Sequence, residues 1–390
     1  MIRSSSAWLA SLFAVLSGCS EATVPIPHEP EVLITTTAEW DGLRLIAPGT
    51  GRTLKTLPLG EYVEGTAPVP DRSVLYVNAR TGSRRELVAV DMRSLDIEWR
   101  LPLSTNWQSH HVADGIGVLG GEKIGVWPDG SRLYTYAIRN GVYGIAAIAM
   151  PTRQPVAFSG PWNVSSITAV PPSAKFPQGA LALVASRNNA DGGPFWGLKT
   201  YLLDPYTLTP TDSLLATDLD GTDDQETWQV VSAHDGHTLY IAGSERLAQF
   251  DLVNRRVTAS VARASLGALT LAGNGQLLIL TDAGRWPESP GSGLLHLYGS
   301  NLEPLGTIDV SSPLGGHPYS PTATVTGLAV ASLDGRTVYA PTGTFLRGPL
   351  YPIQPARILA VDVAEKKIRR VIELGGYGLR TLVVHSARAE

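Results

Sequence analysis

The chain has 390 residues, of which 43% are hydrophobic and 17% charged, so it belongs with globular rather than disordered proteins. A formal net charge of −4 argues against nucleic acid as a partner, since such binders normally carry a basic face. Forty glycines and 28 prolines supply the many turns of an all-β fold, and past the N-terminus no run approaches the roughly 18 apolar residues of a membrane helix.

At the N-terminus Arg3 gives a thin positive region and Ala7 to Val15 an apolar one, with Trp8, Leu9, Leu12 and Phe13. Leu16-Ser17-Gly18-Cys19 follows. A short apolar run ending in small residues reads as a secretory signal, not a span. The sole cysteine, placed directly after them, resembles a bacterial lipobox. That resemblance implies a signal peptide over 1–18, with Cys19 as the lipidated first residue of the mature chain and the membrane as a partner through that lipid. Ser20, rather than Asp, after the cysteine implies an outer-membrane anchor facing the periplasm. Residues 20–31 hold three prolines and no periodicity, so 19–31 reads as lipidated cysteine and extended tether. One cysteine permits no disulfide within the chain.

Strand patterns begin at Val32. Val32 to Thr36, Leu43 to Ala47 and Thr53 to Leu57 are three short runs with turns between them. A fuller unit follows, with Val74 to Asn78, Glu86 to Asp91 and Ile97 to Leu101. Its opening recurs. Pro128-Asp129-Gly130 precedes Leu133-Tyr134, His234-Asp235-Gly236 precedes Leu239-Tyr240, and Leu333-Asp334-Gly335 precedes Val338-Tyr339. Looser copies stand at Asp71 and at Gly273-Asn274-Gly275. Asp-Gly tolerates the positive φ of a tight turn, and Val-Tyr suits a buried pleated surface. Recurrence of one hairpin opening marks a repeat architecture.

Further units fall at about 116–160, 166–215, 228–263, 266–310 and 325–374, and Leu379 to Val384 is left as a lone apolar strand. A first unit short of one strand and an orphan strand at the far end are what ring closure requires, since closure removes exposed sheet edges. The expectation is a seven-bladed β-propeller of four-stranded blades over 32–386. The C-terminal strand should join the N-terminal blade.

The Asp-Gly…Leu/Val-Tyr openings and the strands Ala89-Val90-Asp91, Gln249-Phe250-Asp251 and Ala360-Val361-Asp362 resemble the YVTN-type bacterial propellers, which share their plan with WD40 domains. Members of such families include scaffolds, ligand binders, lyases and cofactor-dependent dehydrogenase subunits. The resemblance therefore implies a fold and leaves the chemistry open.

In a propeller, the connections between blades and those between second and third strands meet on one face. The first kind carries Trp107, His110 and His111, then Trp162 and Asn163, then Asp223 to Trp228, then His317 and Tyr319. The second kind spans Arg187 to Trp196, Asp282 to Gly293 and Pro341 to Pro355, and adds Trp286. Aromatics, His and Arg on one rim are the types enriched at recognition surfaces, which points to an envelope protein or small ligand as the partner. The competing reading is aromatic packing between blades. His110, His111 and His317 are candidate metal ligands, although adjacent histidines on an extended chain point to opposite sides. Asp218, Asp220 and Asp223 surround a glycine turn as in Ca²⁺ loops, but the twelfth loop position holds Gln229 instead of a bidentate Glu. No Gly-x-Ser-x-Gly or phosphate loop is present. The favoured expectation is a binding or scaffold module, and the alternative is a propeller lyase or dehydrogenase-like enzyme using the His/Trp/Tyr rim.

Overall fold

The Asp-Gly openings form turns whose geometry follows from their chemistry. Gly130, Gly236, Gly275 and Gly335 adopt φ of 71°, 69°, 69° and 72°, where a Cβ would be strained. The preceding side chain caps each turn. Asp129 Oδ1 accepts from the Ser131 N–H at 2.7 Å, Asp235 from His237 at 2.9 Å, and Asp334 from Arg336 at 3.0 Å. In the looser copy Asn274 does the same for Gln276. These are Asx turns, built locally and independent of the rest of the chain.

The computed structural model describes residues 31–37, 42–69, 73–103, 116–118, 123–186, 199–214, 227–243, 246–262, 268–281, 284–285, 289–290, 294–310, 329–342, 355–377 and 379–386. They form seven four-stranded antiparallel blades and no helix. Blade I runs inward through Thr53–Pro58, Gly42–Ile46, Glu31–Thr37 and Leu379–Ser386. The others run outward in chain order. Blade II is Tyr62–Pro68, Val74–Thr81, Arg84–Asp91 and Asp96–Leu103. Blade III has its inner strand in two pieces, Ile116–Val118 and Ile124–Val126, both paired with Arg132–Arg139, before Val142–Ala149 and Gln154–Ser159. Blade IV is Asn163–Val170, Ala180–Ser186, Lys199–Leu203 and Pro210–Leu214. Blade V is Thr227–Ser232, Thr238–Gly243, Arg246–Asp251 and Arg256–Ala262. Blade VI is Leu269–Leu271, Leu277–Thr281, Leu294–Gly299 and Pro304–Asp309, with a small hairpin of Gly284–Arg285 and Ser289–Pro290 inserted. Blade VII is Val330–Ala331, Thr337–Thr342, Pro355–Asp362 and Lys367–Tyr377.

The ring closes as the strand count requires. Leu33 pairs with Val384 and Ile34 with Val383, and the inner strands touch in cyclic order from I through VII and back to I. Seven apolar clusters fill the gaps between neighbouring blades. Val32, Ile34 and Leu43 meet Leu75 and Val77 of blade II, while Leu33 and Ile46 meet Tyr339 and Ile358 of blade VII. Alternate residues of one strand thus serve two interfaces. That is why Ala180–Ser186 is buried throughout, whereas the outer strand Arg256–Ala262 alternates.

The motif tyrosine pins one blade to the next. The Tyr134 hydroxyl donates to the Pro205 carbonyl of blade IV, and that of Tyr240 to the Ser300 carbonyl of blade VI. Burial pushes the Tyr240 phenol up to about 12 and moves Tyr134 the same way. A second repeat device carries glycine in blade I alone. The turns from third to outer strand hold a left-handed residue in every blade: Gly51, Leu95, Arg153, Leu208, Arg255, Leu302 and Lys366. Leu95, Leu208 and Leu302 are buried, so apolar packing offsets a cost of about 1–2 kcal/mol each. All seven outer strands also bulge against their neighbours, and five contain proline, at 58, 102, 155, 210 and 304. Both features blunt an exposed edge. Pro341 and Pro355, expected in a loop, lie inside paired strands instead, with Pro341 opposite Ile358.

Candidate functional site

Antiparallel order divides the connections between two faces. Turns from inner to second and from third to outer strand lie on one, the turn face, where the longest is 171–179. Connections between blades and between second and third strands join strand ends on the other, the loop face. There the strand bounds leave 104–115, 187–198, 215–226, 282–293, 310–329 and 343–354. Long connections on a rigid scaffold are where binding residues concentrate.

The turn face is latched from blade to blade. The Ser173 hydroxyl donates to the Gly236 carbonyl (3.4 Å), the Asn274 amide to the Asp334 carbonyl (3.1 Å), and the Leu333 N–H to Glu31 Oε1. At the opposite, loop-face end of the inner strands, beside the Trp228 bulge, Gln229 clamps the backbone of Leu269, donating to its carbonyl at 2.9 Å and accepting from its N–H at 2.7 Å. On the turn face, the Ser173, Asn274 and Glu31 bonds thus help to hold neighbouring blades together.

At the loop-face mouth of the axis the inner strands are irregular. Those of blades I, II, IV and V each carry a bulge within their first residues, and the extra residues are Arg380, Glu64, Ser165 and Trp228. A bulge re-aims a side chain and is over-represented beside functional sites. Sequence patterns do not register it, because a bulge exists only relative to the partner strand. Glu64 is held by the Arg85 guanidinium at 3.1 Å and the Arg80 guanidinium at 3.6 Å, while its other oxygen, Oε2, is buried and accepts no hydrogen bond among the described residues. The cluster sits at the end of blade II nearest the 104–115 connection.

The rim residues fare differently. Trp228 is the bulged second residue of the inner strand of blade V, and Asn163 opens that of blade IV, half-buried. Trp162 corrects the expectation. It is only 2% exposed, its ring centroid lies 4.6 Å from that of Tyr201, and its indole N–H donates to Ser159 Oγ at 2.9 Å. It belongs to the apolar cluster between blades III and IV, so a partner cannot reach it. Cys19, Trp107, His110, His111, Asp218, Asp220, Asp223, Trp286, His317 and Tyr319 lie outside the described residues. Among the described residues, no three His, Cys, Asp or Glu side chains come close enough to hold a metal ion. No described helix is long and apolar enough to cross a membrane.

No protein-family model matches the chain, and no curated protein matches it. Solved structures do resemble it. The β-propeller domain of Myceliophteria thermophila Cps50 (Swd1) is 11% identical with a TM-score of 0.55, over 89% of this chain and 91% of that one. Dihydro-heme d1 dehydrogenase NirN, solved with DHE, is 11% identical with a TM-score of 0.54, over 93% and 76%. A chain of the mitotic checkpoint complex is 12% identical with a TM-score of 0.50, over 86% and 82%. At such identity the likeness establishes the propeller fold alone. The neighbours include a chain of a protein complex and a dehydrogenase, so the fold does not choose between such roles.

Proposed function

We propose that this chain is a lipid-anchored envelope propeller that binds a protein or small ligand through its loop face. The observation that carries the reading is the contrast between the two faces. Short capped turns and inter-blade hydrogen bonds occupy one, while the other has the long connections and four bulged inner strands. Those connections contain Trp107, His110, His111, Trp286, His317 and Tyr319, the residue types that anchor interfaces. Ca²⁺ at Asp218, Asp220 and Asp223 would be an accessory to this face, not its basis.

Anchoring and binding are tested separately. Cys19→Ser should release the protein from membranes, and mass spectrometry of the native N-terminus should show acylated Cys19; an unmodified mature N-terminus would end the lipoprotein reading. For binding, wild type, Trp286→Ala and His317→Ala are compared in pull-downs from envelope extract, with Tyr206→Ala as a turn-face control. Loss of a captured partner in the first two variants alone, with unchanged melting, supports the loop face. Retention of every partner in both, or loss in the control alone, places binding elsewhere.

A further inference from the structure

The point where the chain leaves the ring orients the propeller. Glu31 begins its strand on the turn face, fixed there by the bond from the Leu333 N–H between blades VII and I. Residues 1–30 therefore join the turn face. The eleven residues between Cys19 and Glu31 reach about 35 Å when fully extended, and about 18 Å on average if flexible. A blade strand of seven residues is itself about 23 Å tall. Facing the loops toward the membrane would need the tether stretched beyond its average reach to pass the whole blade, whereas facing the turns toward it needs no stretching.

A second feature lies across the ring from blade I. On blades IV and V the turn face carries a protruding 171–179 turn with half-buried Phe176 and exposed Lys175, the exposed tips Tyr206 (50%) and Val253 (43%), and exposed Arg256. Tyr206 and Val253 occupy the turn position filled by Arg93 in blade II and Ala364 in blade VII. The carboxylates of these turns, Asp204, Asp235 and Asp251, are engaged by backbone N–H groups. Apolar tips beside exposed cations suit an interfacial contact, with the rings sunk at headgroup depth and the cations at anionic lipid.

We infer that the turn face rests on the bilayer, held on one side by the lipid on Cys19 and on the other by the blade IV–V patch, so that the loop face points into the aqueous compartment. The inference rests on the lipoprotein reading proposed above. It is tested with the mature chain coupled through its only thiol, Cys19, to a maleimide phospholipid in phosphatidylethanolamine–phosphatidylglycerol vesicles. Failure of natural acylation, read by mass spectrometry in the host, is thereby kept apart from failure of the orientation.

Hydroxyl-radical footprinting compares bound with free protein. Oxidation of Phe176, Tyr206 and Leu333 should slow by about threefold or more, as burial at headgroup depth requires, while Val142, exposed on the loop face, keeps its rate. Tyr206→Ser with Val253→Ser should restore oxidation at Phe176 and leave Leu333 protected beside the exit point. Protection of Val142, or equal rates on both faces, overturns the inference. So does protection of Phe176 in uncoupled protein that rises with protein concentration, which would assign the patch to a second copy of the chain.

Discussion

Deleting the chain after Gly375 should abolish cooperative folding. The deletion removes the strand Leu379–Ser386, which pairs with Glu31–Thr37 from Glu31 opposite Ser386 to Thr37 opposite Leu379. An antiparallel pair of that length forms roughly seven hydrogen bonds, at a net value of about 1 kcal/mol each. Val32, Leu33 and Ile34, each at most 1% exposed, would lose cover on the axial side, at up to about 1.5–3 kcal/mol for any side chain fully uncovered. The sum is of order 10 kcal/mol, comparable with the whole stability of an ordinary domain, about 5–15 kcal/mol. The loss also bares the whole pairing edge of Glu31–Thr37 and removes the packing of the final strand against the inner strands of both blade II and blade VII. Circular dichroism melting and size-exclusion chromatography should show a broad transition and aggregation. A peptide of residues 379–386 added in trans should restore the sharp melt in a concentration-dependent way. A truncated protein that melts like the full chain would refute the reasoning, because closure would then contribute nothing to the ring.

Three further predictions concern single residues. Trp162→Ala should cost about 3–5 kcal/mol as a core truncation, seen as a lower urea midpoint, and should leave binding at the loop face unchanged once the protein is folded. Asp334 is held below the ordinary carboxylate range by the Ser332 hydroxyl first and the Arg336 N–H second. Its contribution is therefore present above that range and is lost as pH falls through it toward the depressed value. Asp334→Asn, which Asn274 shows can cap the same turn, should lower the neutral-pH urea midpoint slightly, since the charged acceptor is lost, and flatten its fall below about pH 4. Lys366 is exposed at φ 53°, so Lys366→Gly should remove a left-handed Cβ cost and stabilise by about 0.5 kcal/mol, where an unchanged or lower midpoint would show that the turn is unstrained.

What could be read from the sequence was what local chemistry decides. Asp129-Gly130, Asp235-Gly236 and Asp334-Gly335 announce their turns because the cap and the positive φ reside in adjacent residues. Closure was legible by counting, since one set of three strands and one orphan strand have a single economical pairing. Trp162 was not legible. Gly160-Pro161 before it reads as loop, and only the arrival of Tyr201 and Leu183 from blade IV makes the site a core. The bulges at Glu64, Ser165 and Arg380 were hidden because register belongs to a pair of strands. Leu95, Leu208 and Leu302 were hidden for a different reason: burial of the side chain holds a conformation for which the residue type has no preference.

The same distinction explains why the architecture is written more plainly than the function. Seven blades repeat one mechanical problem, how to turn tightly and grip the next blade, and the turn face solves it with Asp, Gly and Tyr at fixed offsets. Because that face grips blade to blade, its turn residues recur in blades III, V, VI and VII and the repeat shows through. The loop face has no comparable task. Its connections differ in length from blade to blade, and its inner strands break register with a different residue each time: Arg380, Glu64, Ser165 and Trp228. A surface released from holding the ring together is free to diverge toward one ligand. Divergence of that kind leaves no periodic trace in a single sequence, and the face that least resembles a repeat is the one on which to look for the partner.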